Sequence, residues 1–268
     1  MKLGFIGGGT MAEAIIAGVL KQRAAAAGDI TASDIVAARR DFLSKTYSVK
    51  ATDDNKQAIM GADLVVLAIK PQQLGEVLGG LRGSLKPSQA VLSIVAGATI
   101  ESISTGLGHD LVIRAMPNTP GQIGAGITAW TATRQVGKAH REVARSVLAA
   151  LGKEVYCADE KFIDIATALS GSGPAYVFLM IEALTDAGVY LGMPRETAAQ
   201  LAIHTVVGSG TMALQSTEHP ASLRNKVTSP GGTTAAALRV LDDQGLRTAL
   251  INAVIAAYEK AVELGKKS

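Results

Sequence analysis

Three small residues at fixed spacing, Gly7, Gly9 and Ala12, constrain this chain more than any other feature. They follow the apolar run Leu3-Gly4-Phe5-Ile6 and open an amphipathic segment that reads as a helix from Met11 to Lys21. A strand at Lys2–Ile6 must then turn into that helix within a few residues. Gly7 permits the tight turn, Gly9 leaves the backbone bare, and Ala12 lets the helix lie close to the strand. The first turn of such a helix carries free N–H groups and the positive end of the helix dipole, which suits a phosphate. Strand, G-x-G-x-x-A and helix in this order are the signature of a dinucleotide-binding βαβ unit. A merely structural glycine turn is the weaker reading, because the required context stands on both sides.

The chain continues in the same style. Ile30–Ser33, Leu64–Ile69, Val91–Val95 and Leu111–Met116 are short apolar runs, each closed by a polar or Gly/Pro turn. Runs of this kind are expected of strands buried on both faces of a parallel sheet. Gly126–Ala132 and Glu154–Cys157 are weaker strand candidates. Strands separated by crossover-length segments predict a doubly wound, mostly parallel α/β fold of the Rossmann type. Hydrophobic residues make up 48% of the 268, so there is material for a sizeable core and no case for disorder.

Past Asp159 no strand is convincing. Pro174–Leu191, Glu196–Leu214, Ala235–Leu241 and Leu246–Leu264 read as helices. Several carry apolar residues off the main stripe, among them Phe178, Leu179 and Val254. A helix apolar on more than one face is deeply buried or pairs with another subunit. The sequence therefore predicts an all-α dimerisation domain over 159–268, after a dinucleotide-binding domain over 1–158.

Composition excludes other classes. Basic residues number 26 against 23 acidic, with no basic run and no aromatic–basic interleaving, so no nucleic-acid partner is indicated. Cys157 is the lone cysteine and the four histidines are scattered, so no metal site is expected. The apolar N-terminus is interrupted by Gly7-Gly8-Gly9 and Glu13, against a signal peptide. The uncharged run Ile165–Ile181 contains Gly171, Gly173 and Pro174, too broken for a membrane span. A cytoplasmic protein without a membrane association is expected.

Ligands of doubly wound sheets bind outside the carboxyl ends of the strands. Ala68-Ile69-Lys70-Pro71 and Met116-Pro117-Asn118-Thr119-Pro120 lie at such ends. The expected cofactor contacts are Ile6, Gly7, Gly9, Thr10, Met11, Ser33, Asn55, Ala68, Ile69, Lys70, Pro71 and Asn118. Ser33 offers a small hydroxyl to a ribose 2′-phosphate, which favours NADP(H). Asp34 beside it argues the other way, so NAD(H) stays open, and Arg39 or Arg40 is either a neutralising charge or part of a solvated helix face. In the helical half, Thr228-Ser229-Pro230-Gly231-Gly232-Thr233-Thr234 precedes a helix and is richer than capping requires. Bare N–H groups at the glycines and hydroxyls of Ser229, Thr233 and Thr234 make a cradle for a carboxylate.

Taken together these stretches resemble the pyrroline-5-carboxylate reductases. The resemblance covers nearly the whole chain: Phe-Ile-Gly-Gly-Gly at 5–9, Ala-Ile-Lys-Pro at 68–71, Met-Pro-Asn-Thr-Pro at 116–120 and Leu-Ser-Gly-Ser-Gly-Pro-Ala-Tyr at 169–176. Its most specific part is Leu223–Asp242, which holds Val-Thr-Ser-Pro-Gly-Gly-Thr-Thr and then Leu-Arg-Val-Leu-Asp. The resemblance implies hydride transfer to a small cyclic imine, a homodimer with the site completed across it, and larger rings of dimers in some members. It implies that Ser229, Gly231, Gly232, Thr233 and Thr234 hold the substrate, with Thr234 at the imine nitrogen. No His–Asp or Lys–Asp pair is found, and an already protonated imine demands none. Two alternatives remain. A β-hydroxyacid dehydrogenase would need a lysine acid inside the second-domain helices, which the apolar stripes lack. A non-enzymatic NADP-binding module would need the glycine turn but not the carboxylate cradle.

Overall fold

In the computed structural model, which describes residues 1–266, the apolar runs of the first half lie side by side as one sheet. In chain order the elements are β1 (Leu3–Ile6), α1 (Thr10–Lys21), β2 (Ile30–Ser33), α2 (Ala37–Tyr47), β3 (Lys50–Thr52) and α3 (Asn55–Ile59). Then come β4 (Leu64–Leu67), α4 (Leu74–Leu81), β5 (Ala90–Ser93), α5 (Ile100–Leu107), β6 (Val112–Met116), β7 (Gly126–Ala132), α6 (Lys138–Ala149) and β8 (Gly152–Tyr156). The strand order is β3-β2-β1-β4-β5-β6-β7-β8. The first six strands are parallel, β7 runs antiparallel to β6, and β8 runs parallel to β7. The 3-2-1-4-5-6 portion is the doubly wound dinucleotide order, with its switch point between β1 and β4.

Burial follows the pleat. Successive side chains of a strand point to opposite faces. Leu3, Phe5, Leu64, Val66 and Leu92 therefore join one core with Ile15 and Ile16 of α1 and Val147 and Leu148 of α6. Ile6, Val65, Leu67, Val91 and Val112 join the other, with Ile59, Leu78 and Ile103 of α3, α4 and α5. Helices on both faces explain why β1, β4 and β5 read as unbroken apolar runs rather than alternating ones.

Three local expectations need correction. β3 was not expected, because Lys50-Ala51-Thr52 has no apolar pattern; it is an edge strand specified by its pairing with Thr31–Ser33. The β4 strand stops at Leu67, two residues short of the expected end, as the chain turns toward Lys70-Pro71. The break expected around Gly171–Pro174 is not there. The chain runs from α7 (Lys161–Ala166) through a π-turn (Thr167–Gly171) into α8 (Gly173–Tyr190) with helical dihedrals at Ser172. Wider π geometry takes in the extra residue and Pro174 sits in the first turn of α8, where its missing N–H costs nothing. By length and composition Lys161–Tyr190 is long and apolar enough to cross a membrane.

Two compact units are distinguished, Met1–Ser172 with the chain from Ala257 onward, and Gly173–Ala256. The second unit holds α8, α9 (Arg195–Gln215), α10 (Pro220–Lys226), α11 (Thr233–Asp243) and the first half of α12 (Leu246–Lys266). The pair α8–α9 meets at small residues: a Cβ at Gly188 would stand 2.8 Å from the Cβ of Ala198. Large apolar side chains of these helices face outward, with Phe178, Leu179, Leu201, Val207, Met212 and Leu214 all more than half exposed. So much apolar surface on a helical pair marks an interaction face.

Candidate functional site: a trough along the strand ends and a glycine-rich helix start

The carboxyl ends of β1, β2 and β4 open into a cleft of about 290 Å³. Of the expected cofactor residues, Ile6, Gly7, Gly9, Ser33, Asn55, Ala68, Ile69 and Lys70 line it, joined by Asp34, Ile35, Val36, Gln73 and Val77. A neighbouring cleft of about 240 Å³ lies beyond β4, β5 and β6. Met11 and Asn118 line this one, with Ile94, Met116, Pro117, Thr119 and Gly171. Ala68 and Ile69 line both, so a single trough runs from Asp34 to Asn118 across the switch point. Thr10 and Pro71 line neither cleft.

The glycines divide their work. Gly7 has φ +92°, and a Cβ there would lie 2.7 Å from the Ala68 carbonyl oxygen and 2.9 Å from Ile69 Cγ2. It is needed for the turn and for the close approach of β1 to the end of β4. Gly9 caps α1 with ordinary extended dihedrals, and a Cβ there would meet nothing within 4 Å. Its missing side chain keeps open the mouth of the trough, where the first N–H groups of α1 emerge. A phosphate-bearing dinucleotide fits this arrangement. Ala12, fully buried, lets α1 pack on the sheet.

Hydrogen bonds fix the far end. Ser33 is buried and its hydroxyl turns inward, to the Phe5 carbonyl at 3.2 Å and Asn55 Oδ1 at 2.6 Å. Asp34 instead presents its carboxylate: Oδ2 accepts the Gly8 N–H and Oδ1 the Val36 N–H, each at 2.8 Å. Arg39 donates to the Gly8 carbonyl and to Glu13, which also takes the Tyr47 hydroxyl at 2.9 Å. Arg40 donates to the carbonyls of Asp34 at 2.8 Å and Ile35 at 3.1 Å. Neither arginine is a freely solvated helix face.

At the other end Asn118 is held by its Oδ1, which accepts the Ile127 N–H at 2.9 Å. Two residues before Met116, the buried Arg114 donates to Glu160 at 2.7 Å and Asp164 at 2.5 Å, and Glu160 also caps the Ile100 N–H at 2.8 Å. This ion-paired hub ties α7 to β6 beside the trough. The π-turn follows, and a Cβ at Gly171 would stand 3.0 Å from Met116 Cε, the flexible end of that side chain.

The second glycine-rich stretch, which the sequence reads as a carboxylate cradle, has the local geometry of a turn into α11. Gly231 has φ +69°, the Gly232 N–H is donated to the Ser229 carbonyl at 3.0 Å, and Gly232 is the N-cap. The Gly232 amide is thus engaged within the turn and leaves the outward N–H groups to Gly231 and the first residues of α11. Ser229, Gly231 and Thr233 are exposed and Thr234 is half-buried.

Residues 160–264 match the family model described as pyrroline-5-carboxylate reductase dimerisation, and residues 2–97 match one described as NADP oxidoreductase coenzyme F420-dependent. A pyrroline-5-carboxylate reductase of Synechocystis is 45% identical over 267 residues, covering 100% of this chain and 99% of the relative. The chain belongs to the pyrroline-5-carboxylate reductase family. A second member, from Pseudomonas aeruginosa, is 40% identical over 99% of the chain and 97% of its own length. Among solved structures, a pyrroline-5-carboxylate reductase from Coxiella burnetii superposes with TM-score 0.90 at 39% identity, covering 98% of each chain. A pyrroline carboxylate reductase from Plasmodium falciparum, solved with NADP bound, gives TM-score 0.90 at 31% identity over 99% of this chain and 98% of its own. The expected Rossmann fold followed by a helical dimerisation domain is the architecture of this family.

Sequence reasoning missed part of the trough lining. Ile35, Val36, Gln73, Val77 and Ile94 bear no motif; they line it because they follow a strand end or face it from the next turn. The signal available was position just past β2, β4 and β5.

Proposed function

We propose that the chain reduces 1-pyrroline-5-carboxylate to L-proline with NADPH, accepting NADH as the second reductant. The observation that carries this reading is the trough across the β1/β4 switch point, lined by the glycine turn at one end and Asn118 at the other, in a chain whose full-length relatives carry that name. When bound, the dinucleotide supplies a hydride to the carbon of the C=N bond. The chain's own residues position the two reactants. Gly7 and Gly9 with the start of α1 hold the pyrophosphate. Ile6, Met11, Ser33, Asn55, Ala68, Ile69 and Lys70 shape the remaining contacts from the trough lining, Thr10 and Pro71 act from just outside it, at the start of α1 and past β4, and Asn118 keeps an amide at the far end.

Ser229, Gly231, Gly232, Thr233 and Thr234 grip the substrate. The N–H groups at the start of α11 and the positive end of its dipole take the carboxylate. Gly232 contributes by its shape, and the Thr234 hydroxyl contacts the imine nitrogen. A ring imine is protonated in water before it binds, so hydride arrival gives the secondary amine without a protein acid. Rate then comes from orientation.

The working form is a homodimer through the outward apolar faces of α8 and α9, which lie inside the dimerisation-model residues. Rings of dimers are the extension of this assembly. The same partner surface accounts for the apolar stretch 161–190 without a membrane, in a cytoplasmic enzyme. We divide cofactor from dimerisation functions at 158/159, supported by a matched segment that begins at 160, whereas the compact units part at Ser172.

Purified protein mixed with NADPH and pyrroline-5-carboxylate should consume the near-ultraviolet absorbance of the reduced nicotinamide, which is the cofactor's own chemistry. No turnover with either NADPH or NADH overturns the proposal. Thr234→Ala should bind NADPH as wild type does and lose affinity for the imine.

A further inference from the structure

The end of the trough next to β2 carries a fixed negative charge. Asp34 lines the cleft one residue past the strand, and its two carboxylate oxygens each accept a backbone N–H at 2.8 Å, from Gly8 and from Val36. Swinging the carboxylate away would break both bonds. The Gly8 amide belongs to the glycine turn itself, so the charge is held in a set relation to the place where a pyrophosphate would sit. An acid at this position accepts ribose hydroxyls and repels a 2′-phosphate.

The surrounding charges do not cancel it directly. The hydroxyl of Ser33, the neutral group best suited to a phosphate, is buried against the Phe5 carbonyl and Asn55. Arg39 is turned to the Gly8 carbonyl and Glu13. Arg40 reaches the backbone of the cleft-lining pair, at the Asp34 and Ile35 carbonyls, and its ion-pair partner among the described residues is Asp53 at 3.9 Å. The charged residues that line the cleft are therefore the anchored Asp34 carboxylate past β2 and Lys70 past β4, with the Arg40 guanidinium behind Asp34 and outside the lining.

We infer that Asp34 sets the coenzyme choice of this chain: it makes NADH an effective partner, while Arg40 supplies the counter-charge that keeps NADPH acceptable. This rests on the dinucleotide reading of the trough. The arrangement distinguishes the two coenzymes only at the 2′ position, so the ratio of their affinities is the quantity it controls.

The test is a fluorescence titration of the full-length protein with NADH and with NADPH separately, in the absence of any imine. Wild type should bind both, with Kd values within about tenfold of each other, the span of a single partly offset charge. Asp34→Asn and Asp34→Ser should move the Kd ratio toward NADPH by about tenfold or more. Arg40→Leu, which leaves both bonds to Asp34 in place, should move it toward NADH by a similar factor. A residue that only braces the loop would change both affinities together and leave the ratio where it was, and that result overturns the inference. So does a wild type that already rejects NADH by more than about a hundredfold. Should the Asp34 variants not fold, the Arg40→Leu ratio decides. A wild type that binds neither coenzyme overturns the reading of the trough as well.

Discussion

Gly7 and Gly9 are two residues apart and chemically identical, yet the structure assigns them opposite sensitivities. Alanine at Gly7 meets two obstacles. Its φ of +92° is a conformation L-residues avoid, at a cost of roughly 1–2 kcal/mol. Its Cβ would also lie 2.7 Å from the Ala68 carbonyl oxygen and 2.9 Å from Ile69 Cγ2, where backbone must move; overpacking of this kind costs about 1–3 kcal/mol. Gly7→Ala should therefore lose about 2–5 kcal/mol of stability. Alanine at Gly9 meets nothing within 4 Å and needs no unusual φ. A worse N-cap and a stiffer unfolded chain act in opposite senses there, so stability should stay within about 1 kcal/mol of wild type. Its methyl stands instead in the mouth of the trough, and NADPH affinity should fall tenfold or more, about 1.4 kcal/mol. Urea unfolding at one fixed protein concentration measures the first quantity, since dimerisation couples stability to concentration. Coenzyme titration measures the second. The reasoning is refuted if Gly7→Ala unfolds within about 0.5 kcal/mol of wild type, or if Gly9→Ala loses stability but not affinity.

Other consequences are open to measurement. Arg114→Met leaves Glu160 and Asp164 without their buried cation; both carboxylates keep some solvent, so denaturant unfolding should show a loss near the low end of about 3–5 kcal/mol, and a loss under about 1 kcal/mol would mean that the hub is dispensable. Leu179→Glu, on an outward apolar face, should shift sedimentation from dimer toward monomer, with an unchanged profile placing the interface elsewhere. Burial, and then the hydrogen bond to Glu13, raise the Tyr47 phenol above its ordinary value, and burial raises the Cys157 thiol. Both groups hold their proton more tightly when folded, so their contribution is present below the ordinary thiol and phenol values and is lost as pH rises through the raised ones. Thermal stability should therefore fall on the alkaline side and fall less in Tyr47→Phe, and alkylation of Cys157 near pH 8 should be slower in the folded chain than after denaturation.

The fold was largely legible because its determinants are local. β1, β4 and β5 announce themselves by unbroken apolar runs, which a strand needs when both faces are covered. The helical character of the second half was legible from its periodicity, and its surplus of apolar faces pointed to a partner. β3 was illegible because three residues without apolar pattern become a strand only by pairing with β2. The π-turn was hidden for a related reason: Gly171, Gly173 and Pro174 are helix breakers by propensity, and tertiary context overrides propensity there.

The sequence by itself determined the order of elements, the glycine turn at Gly7 and Gly9 and the family motifs, because each depends on residues close together in the chain. Tertiary structure decided what those residues face. Ser33 and Asp34 are neighbours that argued in opposite directions on paper; folding turns the serine inward to Asn55 and fixes the aspartate outward on Gly8, 26 residues earlier. It likewise places Arg114 between two carboxylates 46 and 50 residues later. Such pairings depend on which strand lies beside which, and that is set by the burial of the whole sheet rather than by any local stretch.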